Sequence, residues 1–111
     1  MVKVSFKTAE NDESFIVIVE GHAGQADPGQ DIICASASIL VYTLAQTVTD
    51  MQNAGKLRKS PRIRIEDGDA EIVLKPKKGF FSEAFLTVHT IKRGFDLLCT
   101  NFPDFVSYMD D

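Results

Sequence analysis

The chain has 111 residues, of which 44% are hydrophobic and 25% are charged, and its formal net charge at pH 7 is -4. This size and composition are typical of one globular domain, residues 1–111, and exclude a disordered chain. The acidic balance argues against direct nucleic-acid binding, which usually requires a basic surface.

Two strands are predicted before residue 21. Val2, Val4 and Phe6 alternate with polar residues, a period of two that is typical of a half-buried strand. The run F-I-V-I-V-E at 15–20 is apolar on both faces and rich in β-branched residues, which indicates a central strand covered on both sides. We expect one of its faces to pack on helices and the other on a second subunit.

The segment G-H-A-G-Q-A-D-P-G-Q at 21–30 predicts a mobile loop. Gly24, Pro28 and Gly29 lie close together in it, and no regular element tolerates such a density of glycine and proline. The loop separates the central strand from the next predicted element.

A first helix is predicted from Ile32 to about Asn53, a stretch without glycine or proline. Asp31 precedes it and is a candidate N-cap, because its side chain can accept hydrogen bonds from free backbone N–H groups. Gly55 follows as a natural C-terminal stop. Several residues fall close to one face of this helix: Ile32, Ser36, Ile39, Thr43, Thr47 and Met51.

The second half of the chain predicts a hairpin, a second helix and a short strand. Apolar and charged residues alternate over 62–66, and the D-G pair at 67–68 is typical of a tight hairpin turn. Ser82 is the predicted cap of the second helix, which carries a stripe of phenylalanines and ends before Pro103. The last strand is predicted within 105–109.

This order of elements, β-β-α-β-β-α-(β), predicts an α+β domain. Its hairpins favour an antiparallel sheet of four to five strands, and the two helices are expected to pack on it. No linker or internal repeat divides the chain, so a single domain is predicted.

Cys34 and His22 are the candidate catalytic residues. A thiol attacks as the thiolate, which a nearby imidazole or a helix N-terminus favours. Cys34 follows Asp31 closely and is predicted in the first turn of the helix, where free backbone N–H groups can also stabilise an oxyanion. His22 lies where the central strand meets the loop. By itself the spacing of these two residues favours an ordinary buried cysteine over a catalytic one. The small residues at 35–38 likewise favour close helix packing.

Other interpretations stay open at this point. In a non-catalytic binding module, the same two residues would have only a structural role. Zinc binding would use Cys34, Cys99, His22 and His89, but no two of them have the close spacing typical of zinc ligands, so no metal or other cofactor is predicted. A redox role for Cys34 lacks a C-x-x-C motif. We expect Cys99 in the core and His89 at least partly exposed, both without function.

The sequence also predicts the compartment. No apolar run reaches the ~20 residues that span a bilayer, so no membrane segment is expected. The first residues, M-V-K-V-S-F-K-T, lack the apolar centre and small-residue cleavage site of a signal peptide. A cytoplasmic protein is therefore predicted, with Cys34 and Cys99 as free thiols because thiols stay reduced there.

The motifs G-H-A-G at 21–24 and D-I-I-C-A-S-A-S at 31–38 resemble those of the ribosomal-processing cysteine protease family, often called Prp. The likeness extends over essentially the whole chain, including the I-R-I-E-D-G-D hairpin and the F-P-D-F sequence after the second helix. The resemblance implies that His22 and Cys34 are a catalytic dyad. It also marks supporting motif residues: Gly21, Asp31, Ala35 and Ser38.

The same resemblance implies a cysteine endopeptidase that removes the N-terminal extension of a large-subunit ribosomal protein, cutting after an aromatic residue. Some relatives act on phage structural proteins, which leaves such a protein as an alternative substrate. A homodimer and a mobile loop between His22 and Cys34 are implied as well. Asp31 is expected to cap the helix or orient His22, because its negative charge would otherwise oppose formation of the Cys34 thiolate.

Overall fold

The structure is a computed structural model that describes residues 1–9, 11–22 and 30–109, without the side chains of residues 30 and 31. The elements in chain order are β1 (Val2–Ala9), β2 (Ser14–Glu20), α1 (Gln30–Asn53), β3 (Arg62–Glu66), β4 (Asp69–Leu74), α2 (Phe81–Asn101) and β5 (Val106–Tyr108). The predicted α+β class and the predicted order of elements are confirmed.

A five-stranded sheet with the order β3-β4-β2-β1-β5 is the frame of the fold. β2 lies at its centre, as its apolar run predicts. The strands from β3 to β1 pair antiparallel, but β5 runs parallel to β1, with Val106 beside Val2. The prediction of a purely antiparallel sheet is therefore wrong. The reason is that β4 already runs in the direction of β1, and α2 carries the chain back so that β5 starts at the same end.

Both helices pack on one face of this sheet, where a largely aliphatic core includes the buried rings of Phe15 and Phe95. The ring of Phe15 in β2 lies 5.2 Å from that of Phe81 and 6.4 Å from that of Phe85, both in α2. Phe6 of β1 lies 5.8 Å from Phe95 of α2. Full burial of one such side chain stabilises a fold by ~1.5–3 kcal/mol, so these rings fix the position of α2 over β1 and β2.

Helix α1 begins at Gln30, earlier than predicted, and ends at Asn53 as predicted. Its buried side is formed by residues such as Ile33 and Leu44, whereas Ile32 and Ile39 are exposed. The predicted stripe that begins with Ile32 therefore lies largely on the solvent side. Several turns of α1 carry apolar residues on both sides, so periodicity along the chain did not identify the buried one.

By length and composition, α1 is apolar enough to cross a bilayer, since a window within Ile32–Asn53 has a mean hydropathy of 1.6. The expectation that no apolar segment is long enough to span a bilayer is therefore wrong as far as length and composition are concerned. The core helix of a soluble domain has the same composition. In this fold, Ile33, Leu44 and Val48 of α1 are buried in the core shared with the sheet.

Helix α2 begins at Phe81, so Ser82 lies inside its first turn and the prediction of Ser82 as the cap is wrong. The cap position is Phe80, which makes no side-chain capping hydrogen bond. A cap contributes about 1 kcal/mol, less than the burial of an aromatic ring. The contact of Phe81 with Phe15 therefore outweighs the capping preference of serine.

Candidate active site

A cleft of about 400 Å³ lies at one end of the sheet. Its walls come from the end of β2, the turn between β3 and β4, and the N-terminal half of α1. Apolar side chains, including Val19, Val41 and Ile65, line it together with polar groups. This combination suits a ligand that has an apolar side chain and a polar backbone.

His22 and Cys34 both line this cleft. β2 ends at Glu20, so His22 lies just beyond the strand, and Cys34 projects from α1. The His22 side chain is 57% exposed. Cys34 is partly buried against the core and is a free thiol. The structure therefore offers an imidazole and a thiol to the same space.

The backbone at His22 is held from two directions. The N–H of Gly21 donates to the carbonyl oxygen of Gly68 at 2.8 Å, which ties the end of β2 to the β3–β4 turn. The amine of Met1 donates to the carbonyl oxygen of His22 at 2.5 Å. Gly21 has a φ of 94°, and a Cβ there would overlap the Met1 carbonyl oxygen, so glycine is required.

The imidazole of His22 lies against the turn between β3 and β4. A Cβ on Gly68 would overlap Nε2 of His22 and would lie 2.9 Å from Cε1 and 3.1 Å from Cδ2. The ring thus occupies the space that glycine leaves free. On the same side, Nε2 is 3.9 Å from Oδ1 of Asp67. The turn that connects two strands is therefore also a wall of the site.

Sequence reasoning identified Asp67 and Gly68 as a hairpin turn but missed their place in the cleft. The signal that would have found them is the pairing of β2 with β4. Its register sets Glu20 beside Asp69, so the turn before β4 must lie next to the residues that follow β2. That pairing joins segments on either side of α1, and local patterns do not report it.

The start of α1 differs from the prediction in a way that matters for the thiol. Because the helix begins at Gln30, Asp31 lies within the first turn and not at the cap, and Cys34 lies in the second turn. The predictions of Asp31 as N-cap and of Cys34 in the first turn are therefore wrong. The backbone N–H groups that have no partner within the helix precede Cys34 by about one turn. Whether Asp31 orients His22 stays a prediction, since its side chain lies outside the described residues.

Of the remaining predicted site residues, only Ser38 lines the cleft among those that the structure describes. Ser38 lies one turn after Cys34, and its hydroxyl makes no hydrogen bond to another described side chain. Ala35 is exposed and is not among the residues that line the cleft. Gly24, Pro28 and Gly29 lie outside the described residues, so the mobile loop between His22 and Cys34 stays a prediction.

Cys99 and His89 lie on α2. Burial raises the pKa of the Cys99 thiol, and the nearby Asp96 raises it further, which keeps Cys99 protonated. His89 stacks on Phe85 with the ring centroids 3.9 Å apart. Within residues 1–9, 11–22 and 30–109, no three histidine, cysteine or acidic side chains lie close enough together to hold a metal ion.

Comparison with known proteins identifies one family and several solved structures of similar fold. Residues 1–106 match the model of a family described as cysteine protease Prp. A search of curated proteins finds no match.

Two similar solved structures are from S. aureus and are described as an essential ribosomal processing protease Prp. One, in complex with a substrate peptide, is 20% identical over 98% of each chain, with a TM-score of 0.69. The other, with a covalently linked product peptide, is 21% identical over 97% of each chain, with a TM-score of 0.66. SMU.848 from Streptococcus mutans is 24% identical over 97% of this chain and 91% of its own, with a TM-score of 0.67. At these identities the likeness shows the fold.

Proposed function

The chain belongs to the cysteine protease Prp family and is a cysteine protease, and from this premise we propose that Cys34 and His22 form its catalytic dyad. The observation that carries the proposal is that both side chains line the same cleft. Cys99, in contrast, is a partly buried thiol whose pKa is raised by burial, which makes it a poor nucleophile.

In the proposed mechanism, His22 takes the proton from the Cys34 thiol and the thiolate attacks the carbonyl carbon of a peptide bond. The C–N bond then breaks as His22 gives its proton to the leaving amine, which leaves a thioester on Cys34. A water molecule, deprotonated by His22, hydrolyses this thioester and restores the thiol. Free backbone N–H groups at the start of α1 stabilise the oxyanion of each tetrahedral intermediate.

The proposed substrate is the N-terminal extension of a large-subunit ribosomal protein, cut after an aromatic residue. Two observations support it. The two S. aureus structures of the same fold are both described as a ribosomal processing protease, one with a substrate peptide and one with a covalently linked product peptide. Val19, Val41 and Ile65 also provide an apolar lining that suits an aromatic ring.

We also propose that the chain works in the cytoplasm as a homodimer. Ile32 and Ile39 lie two turns apart on α1 and are 65% and 62% exposed, and a second copy would remove them from water. The sheet face first assigned to a second subunit carries ion pairs instead, such as Arg62 with Glu71 at 2.7 Å. Light scattering should give twice the 12.3 kDa of one chain, and a mass of one chain would contradict the dimer.

The dyad is tested with a peptide that spans the extension of the host's ribosomal protein, followed by mass spectrometry of the products. We expect cleavage by the wild type and a loss of about 10³-fold or more in Cys34→Ala and in His22→Ala, with thermal unfolding little changed. Cys99→Ala is the matched control, because it removes the other thiol, and it should cleave at the wild-type rate. Cleavage by Cys34→Ala at the rate of Cys99→Ala would refute the dyad.

A further inference from the structure

We propose that the turn between β3 and β4 orients the catalytic histidine, with Asp67 as a positioning residue that holds Nε2 of His22 and leaves Nδ1 for Cys34. This inference rests on the proposed dyad and adds to it. The two residues of the turn have different roles. Gly68 leaves space for the imidazole ring of His22, and Asp67 provides a negative charge near Nε2.

The contacts of the ring indicate which nitrogen faces the turn. Nε2, Cε1 and Cδ2 of His22 are the atoms nearest to the position of a Cβ on Gly68. These three atoms form the edge of the imidazole that is farthest from the backbone of His22. Nδ1 is not among them, so it is the nitrogen left for a partner elsewhere in the cleft. Cys34 lines that same cleft.

The charges of the turn single out Asp67 as the partner of Nε2. Glu66 and Asp69 both face Arg64, with N–O distances of 3.8 and 2.6 Å. Among the described residues, Asp67 has no ion pair other than its 3.9 Å approach to His22. Its side chain is 99% exposed, so it is free to rotate and to close that distance to a hydrogen bond.

This arrangement sets the tautomer that the mechanism requires. A carboxylate accepts a hydrogen bond from Nε2–H, so the neutral ring keeps its proton there and Nδ1 is free to act as base. When the proton moves from Sγ of Cys34 to Nδ1, the ring becomes positive and the ionised Asp67 faces that charge. The negative charge of Asp67 therefore favours the thiolate–imidazolium pair over the neutral pair.

Both His22 and Asp67 are largely exposed, so water screens their attraction and the effect is modest. We expect Asp67→Asn to lower kcat about 5-fold, the size typical of an exposed charge pair, with KM changed less than about 2-fold. Alkylation of Cys34 by iodoacetamide, followed by peptide mass spectrometry, should slow by a similar factor because it reports the thiolate. Asp67→Glu keeps the carboxylate and should restore most of both rates.

Glu13→Gln is the matched control, because it removes one negative charge from the turn at the opposite end of the sheet. It should leave kcat, KM and the alkylation rate unchanged. Thermal unfolding of each variant checks that the fold is kept.

The outcomes separate this inference from the dyad. If His22→Ala slows cleavage and alkylation but Asp67→Asn does not, the role of Asp67 is refuted and the dyad remains. If His22→Ala changes neither rate, the dyad itself fails. A rise in KM alone in Asp67→Asn would assign Asp67 to substrate binding. A loss in Asp67→Asn that Asp67→Glu does not restore would make its role structural. Either result overturns the positioning role.

Discussion

The two ends of the sheet are held together by different kinds of interaction. At the end opposite the cleft, Asp12 lies 2.9 Å from Arg58 and 2.9 Å from Lys75. Beside it, Leu57 pairs with Pro76 through a β-bridge. The β1–β2 turn, the connection after α1 and the connection after β4 are thus joined to one another by charge and by backbone pairing.

The end with the cleft has fewer such links. His22 is held by its backbone and by the contact of its ring with Gly68, and the nearest carboxylate, that of Asp67, is 3.9 Å away and exposed. At this end Glu66 and Asp69 pair with Arg64. In the part of the chain that the structure describes, His22 and Asp67 have only their 3.9 Å approach to each other as an ion pair, whereas Asp12 at the other end is held by two cations. The comparison indicates that stability is concentrated at one end of the sheet and that binding capacity is concentrated at the other.

The largest effect on stability is expected from Phe15→Ala. Phe15 begins β2 at the end opposite the cleft and is fully buried against the rings of α2. Its truncation should lower the free energy of unfolding by ~3–5 kcal/mol, because it removes apolar contacts and leaves a cavity. Denaturant unfolding measures the loss. Phe102→Ala, at a 36% exposed position, is the control and should cost less than half as much. Equal losses of unfolding free energy in the two variants would contradict the view that stability is concentrated at the end opposite the cleft.

A smaller and more selective effect is expected at two glycines. Gly68 and Gly79 have φ values of 72° and 95°, so alanine at either position should destabilise the fold by about 1–2 kcal/mol. Only at Gly68 would the new methyl group meet His22, whereas at Gly79 no atom lies within 4 Å. Gly68→Ala should therefore also lower cleavage, by about 10²-fold if the ring moves by 1 Å.

Thermal unfolding and cleavage assays on the two alanine variants separate these effects. Similar melting temperatures with very different activities would support the role of the β3–β4 turn. If both variants cleave equally well, the ring of His22 does not depend on Gly68, and the assignment of this turn to the site fails.

The smallest effect is a dependence of stability on pH at the opposite end. A hydrogen bond from Lys75 lowers the pKa of Asp12, and Arg58 adds to this shift. A carboxyl group whose pKa is lowered in the fold stabilises it above the unfolded value, near 3.8, and this stabilisation is lost as the pH falls through the folded pKa. The stability difference between the wild type and Asp12→Asn should therefore shrink as the pH falls below about 4.

Urea unfolding of both proteins from pH 6 down to about pH 3 measures this difference. Lys75→Met is the control, because it removes the main cause of the shift, and Asp12→Asn made in that background should show a weaker pH dependence. A difference that stays constant over the whole range would contradict the proposed role of Asp12.

The elements of this fold were largely predictable from neighbours along the chain. The alternation in β1, the continuous apolar run of β2 and the D-G turn at 67–68 each depend on residues only a few positions apart. The absence of glycine and proline over 32–53 likewise predicted α1. The motifs around His22 and Cys34 pointed to the two residues that the structure places in one cleft.

Contacts between segments distant in the sequence determined which face of α1 is buried and which turn joins the site. Helix α1 carries apolar residues on both sides, so its packing on the sheet, and not its periodicity, buried Ile33 and exposed Ile32. The turn at 67–68 became part of the site because β4 pairs with β2 across the whole of α1. Hydrogen bonding between strands depends on which segments meet in space, and no pattern within a single strand encodes its partner.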